Sequence, residues 1–231
     1  MSPIQKNMSE LDTLLMELPR SQLFDAMDSN KLNKEELERA LDDHYLMTLA
    51  FVPSLAQFLE TLPKESRFEN LRQVMRENLN DEIGKGETES HKKLYEDLLR
   101  ENFGKVPRRD SVPTFILEYW EQFRKLVEQS EPLIVAGAIY ALEHQMAGMG
   151  GQFVSIQKQL AALGLKDTGY FQLHIDLDGN PEHGHAALER KAAIDAIKND
   201  KDFKDFENGS LKMAELRKKT FDKVYKDVKG E

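Results

Sequence analysis

The chain has 231 residues and a mass of 26.6 kDa, enough to bury a sizeable core. Its 40% hydrophobic and 32% charged residues exclude a disordered chain, and its apolar runs are too short to cross a bilayer. Lys plus Arg number 32 against 41 Asp plus Glu, so at a formal charge of −9 no positive field exists to steer nucleic acid or an anionic membrane, while the absence of cysteine excludes disulfides, thiolate zinc sites, iron–sulfur clusters and cysteine nucleophiles.

Alternating β-type runs are missing, and apolar residues recur at helical spacing almost throughout. The N-terminus has no apolar signal region, which reads as a cytoplasmic protein. A first helix is predicted over Pro3 to Glu17, closed by Pro19. Asn33 is the expected N-cap of the next, with Glu35 and Glu36 in the first turn, where the helix dipole favours acids. That helix runs from Lys34 to Leu62, kinked at Pro53 and ended by Pro63. Further helices are predicted over Ser66 to Glu82, stopped by Gly84-Lys85-Gly86, and over Ser90 to Phe103 before Gly104. After a loop from Lys105 to Val112, two long helices follow near Pro113 to Gln129 and Pro132 to Leu163. A short helix begins near Asp167 and meets Gly179-Asn180-Pro181. Helices near Glu182 to Asn199 and Ser210 to Val228 complete the chain, and the charged tail from Lys198 to Glu231 reads as a solvated cover helix. The expectation is an all-α fold, one domain over residues 1–231, built as a bundle of about seven to nine helices.

The chemistry-bearing residues concentrate in three stretches. His174 and Asp178 stand four residues apart, which places both on one helix face as a metal-chelating pair or as a hydrogen-bonded couple. Glu82 and His91 are separated by Gly84-Lys85-Gly86, so a loop frees both to face inward. Glu143 lies in the apolar run Ile139 to Met146, where an uncompensated carboxylate is costly to bury. His183 and His185 follow Pro181. Carboxylates and imidazoles without sulfur suit non-haem iron or manganese rather than structural zinc. His44 and Tyr45, among Leu41, Leu46, Met47 and Leu49, are candidates for a cavity wall or a proton donor, or core-edge residues. The glycines around Ala147 to Gly151 suggest close packing, room for a ligand or a helix break, and no phosphate-loop Lys-Ser/Thr accompanies them.

At these residues the sequence resembles the heme-oxygenase-like diiron oxidases. Glu82 and His91 match that family's first pair, Glu143 its central acid, and His174 with Asp178 its third motif, His-x-x-x-Asp-x-x-His. The last histidine is displaced to His183 or His185, and His183 is the expected sixth ligand because a break near Pro181 lets it swing back. The resemblance implies a heme-oxygenase-like helical bundle holding two Fe (Fe2+), with O2 as co-substrate and a bridging Glu143. It also implies oxidation of a small metabolite, an amino acid, amine or fatty acid, and leaves open an external electron donor and a homodimer. N-oxygenating relatives add a carboxylate from an earlier helix. Gln57 and Glu60 supply no convincing one, so oxidative cleavage or nitrile formation is favoured. The alternatives are a metal-free hydrolase of the same fold, weakened by the missing cysteine, and a small-molecule-binding or interaction protein.

Overall fold

The computed structural model describes residues 2–85, 89–107, 112–146, 151–178, 180 and 182–231, except for the side chain of Asp178. Among them the chain forms twelve α-helices, one 3-10 turn and no strand, so the all-α class holds. The helices are more numerous than the sequence suggests because two long predicted ones divide and one short helix is added.

Helix α1, Pro3–Glu17, has the predicted limits, with Ser2 and Gln5 closing a reciprocal capping box. A short helix α2, Gln22–Asp28, follows unpredicted, capped by the Ser21 hydroxyl. Asn33 is the expected N-cap of α3, Lys34–Thr48, and with Glu36 it closes a second capping box. The chain breaks there, and α4, Phe51–Thr61, begins separately. Pro53 thus sits in a first turn, where its missing N–H costs no helical hydrogen bond. Trp120 Nε1 donates to the carbonyl of Leu46 at 2.9 Å, next to the break. After the 3-10 turn Ser66–Phe68 comes α5, Glu69–Ile83, ended by Gly84 at φ 70, a left-handed conformation that glycine adopts without Cβ strain. Ser90 caps α6, His91–Phe103. Then come α7, Thr114–Gln129, and α8, Pro132–Met146. The predicted helix to Leu163 is divided, with α9 spanning Gln152–Ala162, and residues 147–150 lie outside the described part. Helix α10 is Tyr170–Asp178 and α11 is His185–Ala196. The last, α12, covers Asp200–Lys229.

Helix α8 is the axis of the fold. It is apolar nearly all round, which suits only a helix enclosed by others. Helices α1, α4, α7, α9, α10, α11 and α12 all touch it. The tightest crossing is with α12. A Cβ on Gly137 would meet the Phe206 carbonyl oxygen at 1.9 Å, and one on Gly209 would meet the Ile134 carbonyl oxygen at 1.8 Å. Only glycine lets the two backbones approach so closely, and the Ser210 hydroxyl donates across the crossing to the Gly137 carbonyl at 2.9 Å. The tail is therefore not a solvated cover. Helix α12 buries Phe203, Phe206, Met213, Phe221, Val224 and Val228 in the central core, and of its charged residues Asp202 and Arg217 are buried with them. No helix among the described residues is long and apolar enough to cross a membrane.

Candidate metal centre and cavity

Three side chains from three helices converge. Glu82 lies in the last turn of α5, His91 is the first residue of α6, and His174 is in the middle of α10. One ligand atom from each lies within 4.8 Å of the other two. His91 Nδ1 is 2.8 Å from Glu82 Oε1, and His174 Nε2 is 3.8 Å from the same oxygen. The two imidazoles pack edge to face at 4.4 Å. The left-handed turn at Gly84 ends α5 between Glu82 and His91, as the spacing of the pair requires.

The electrostatics suit a cation. Burial alone would push the Glu82 carboxyl up, but hydrogen bonds and charge from His174 and His91 outweigh it and hold it down to about 2. His174 Nδ1 lies 2.7 Å from the Tyr170 carbonyl, which can only accept. Nδ1 therefore carries a proton, which turns Nε2 towards Glu82, the usual way a ligating histidine is oriented by a backbone carbonyl. His91 Nδ1 donates to the ionised Glu82, which fixes the orientation of the ring. Two imidazoles and one carboxylate form the donor set typical of non-haem ferrous sites, so these residues fit iron.

The other expected ligands are placed differently. Glu143 is buried on α8, and its Oε1 accepts from Asn78 Nδ2 at 3.0 Å. The same Asn78 amide donates to Glu189 Oε1 at 3.1 Å. The side chain of Asp178 lies outside the described residues. His183 is not drawn into the cluster: its side chain is 78% exposed, beside Glu182. The helix does break after Asp178, but α11 restarts at His185 rather than near Pro181, which is itself outside the described residues. Asn180 Oδ1 accepts from the backbone amides of Glu182 and His183, and this turn holds His183 outward. His185 is the buried one, with Nε2 3.2 Å from Asp81 Oδ2. The expectation of His183 as the inward histidine is corrected to His185.

A cavity of about 40 Å³ adjoins Glu82 and His174, walled also by His44, Met47, Phe51, Tyr119, Leu142, Met146, Tyr170 and Arg217. His44 is buried, and burial, with charge from Arg217 and His174, pushes its imidazole down to about 3, so it is neutral. The Tyr95 hydroxyl donates to the Leu41 carbonyl at 3.2 Å and lies 2.7 Å from His44 Nδ1. With that hydroxyl proton engaged, Nδ1–H donates to Tyr95 and Nε2 is the basic nitrogen. Tyr45 is absent from the cavity wall, and its hydroxyl donates to Glu96 on α6 at 2.8 Å. On α4, Gln57 reaches Glu128 and Glu60 is exposed, so neither joins the cluster.

Asn78, Glu189, Tyr119 and Arg217 were not singled out from the sequence. A signal existed for three of them. Asn78 falls on the stripe Leu71, Met75, Glu82, Glu189 on Ala186, Ala193, Ala196, and Arg217 on Phe206, Met213, Phe221, Val224. A polar residue on an apolar stripe at helical spacing marks a buried polar group.

A family model described as iron-containing redox enzyme matches residues 38–218. No curated protein matches the chain. Among solved structures, a CADD-like protein of unknown function from Nostoc punctiforme PCC 73102 superposes with a TM-score of 0.77 at 16% identity, covering 97% of this chain and 98% of that one. A domain of unknown function with a heme oxygenase-like fold from Shewanella denitrificans OS217 gives 0.72 at 14%, covering 97% and 91%. A TenA homolog from Pseudomonas syringae pv. tomato DC3000 gives 0.69 at 10%, covering 96% and 90%. At these identities the likeness concerns the fold, which is heme-oxygenase-like.

Proposed function

The chain belongs to the iron-containing redox enzyme family, and from that premise we propose that it is an O2-dependent non-haem diiron oxidoreductase acting on a small amino-acid- or amine-type metabolite. The observation that carries the reading is the group formed by Glu82, His91 and His174, two of which line the adjoining cavity. These three residues would hold one ferrous ion. Glu143 and Asp178, with His185 in place of His183, are the candidates for the second. Bound there, iron supplies the reduction of O2 that the side chains themselves cannot perform.

The chain's own residues do the rest. The Tyr170 carbonyl orients the His174 ring, and Glu82 stays ionised at neutral pH. Glu82 and His174 lie in the cavity wall, so a substrate seated there lies against the ligand set. Met47, Phe51, Leu142 and Met146 give the cavity an apolar lining against which a substrate's hydrocarbon part can rest. His44, neutral and held by Tyr95 through Nδ1, can accept a hydrogen bond from substrate at Nε2. The absence of an extra carboxylate from α4 favours oxidative cleavage or nitrile-type chemistry over N-hydroxylation. A metal-free hydrolase on this fold has no cysteine nucleophile to use.

The test is anaerobic loading with ferrous sulfate, iron analysis, and O2 uptake in the presence of amino acids and amines. Two irons per chain and uptake accelerated by at least one compound are expected. No bound iron, or uptake indifferent to every compound, contradicts the reading.

A further inference from the structure

Arg217 is a buried cation that the metal site does not explain. It lies on the inner stripe of α12, only 3% exposed, with its guanidinium over the Phe221 ring at 5.3 Å. A guanidinium stays charged in proteins and is expensive to bury without an anion. Yet among the described residues no carboxylate lies within ion-pairing distance of it. Its hydrogen-bond partners are neutral, the Gln152 side chain on α9 and the Tyr119 hydroxyl, and its Nε makes no hydrogen bond. Desolvation drives the guanidinium down from its ordinary value, and Tyr119 and the more distant Glu143 offset this only in part. The other carboxylate beside the cavity, Glu82, is already engaged by His91 and His174.

The cavity wall completes the picture. Arg217 and Tyr119 line the same space as Glu82 and His174, and Met47, Phe51, Leu142 and Met146 give that space its apolar wall. The one cavity thus brings a cation and a phenol together with two of the metal ligands. Arginine presents a planar fork of donors that matches a carboxylate.

We propose that Arg217, with Tyr119, is a carboxylate-binding subsite, and that the substrate is a short-chain carboxylic acid whose carboxylate rests on Arg217 while its reactive end faces Glu82 and His174. A cavity of about 40 Å³ suits a short chain rather than a long fatty acyl chain. The assignment rests on the cavity being the substrate site of the proposed oxidoreductase, and it narrows the amino-acid- or amine-type metabolite to one that carries a carboxylate. Arg217 is then a binding residue, and Gln152 a positioning residue that holds the guanidinium while the site is empty.

The full chain, ferrous-loaded under anaerobic conditions and metal-free, is titrated with propionate, butyrate and β-alanine, and with propionamide as the neutral isostere. Affinity is followed by calorimetry, and iron per chain is measured alongside. The carboxylates should bind at least about tenfold tighter than the amide, the loss expected for one charge-assisted hydrogen bond. Arg217→Met should bring acid and amide to parity without lowering the iron content, and Arg217→Lys should recover part of the preference. Gln152→Glu should weaken the carboxylates as well, because it puts a competing anion on an intact Arg217. That variant decides the matter if Arg217→Met does not fold. The proposal is overturned if no carboxylate binds, if acid and amide bind alike, or if Arg217→Met or Gln152→Glu retains the full preference. Arg217-dependent carboxylate binding without iron binding would overturn the oxidoreductase and leave the subsite standing. Iron binding with an indifferent Arg217→Met would do the reverse.

Discussion

Glu82 touches two imidazoles from two different helices, so its loss removes a ligand and the acceptor that orients the ligating nitrogen of His91. Glu82→Ala should cost at least about tenfold in ferrous affinity, as loss even of an orienting partner does, measured by anaerobic competition with a chelator. An unchanged affinity would place the iron elsewhere. The two late histidines give a sharper contrast. His183 is exposed, so His183→Ala should leave stability within about 0.5 kcal/mol and iron content unchanged. His185 is buried against Asp81, so His185→Ala should cost about 1–3 kcal/mol in urea unfolding and lower the iron content. If instead His183→Ala loses iron and His185→Ala does not, the assignment is reversed. Glu82, His91 and His174 could be named from the sequence because each stands in a short motif at a readable spacing. The choice between His183 and His185 could not. It depends on where α11 restarts, and that is set by the turn built on Asn180. Arg217 was hidden because its neighbours Lys218 and Lys219 make the segment read as a solvated charge run.

At the scale of elements, the crossing of α8 and α12 holds the axis of the fold. Gly137→Ala or Gly209→Ala would drive a methyl group into a carbonyl of the facing helix, and backbone cannot move aside as a side chain can. Each should destabilise by about 1–3 kcal/mol or more, seen as a lower urea midpoint with an unchanged slope. The two act on one contact, so the double variant should lose less than the sum, since the helices are already parted. Additive losses would show two independent contacts. Helices with a local boundary residue were the legible ones: α1 between Pro3 and Pro19, and the start of α3 at its N-cap Asn33. The break between α3 and α4 was less legible. Pro53 reads equally well as a kink inside a long helix or as the first turn of a new one, and tertiary packing chose the second. The inward face of α12 was misjudged because its charges dominate the composition while its phenylalanines occupy the buried stripe.

The whole molecule carries a net charge of −9, and some of that charge is buried where it costs stability. Asp43, at the α3–α12 contact, is pushed up to about 7 by burial, then by Asp227 and Asp42, with Arg39 opposing. Asp42 is pushed up to about 6 by burial, with Lys105 opposing and Glu38 adding. For a carboxyl whose folded value is raised, the native state holds the proton more tightly than the unfolded chain, so stability falls as pH rises from about 4 to 7. Asp43→Asn removes that penalty. Relative to the parent it should gain on the order of 2 kcal/mol at pH 8 and little at pH 5, by urea unfolding at both values. A gain independent of pH would show that Asp43 ionises normally. The account as a whole stands on iron, and the most direct measurement is anaerobic ferrous titration of the full chain followed by desalting and metal analysis, with Glu82→Ala in parallel. Retention of iron by the parent and its loss in the variant is the result expected. No retained iron in the parent, or equal retention in both, would contradict it.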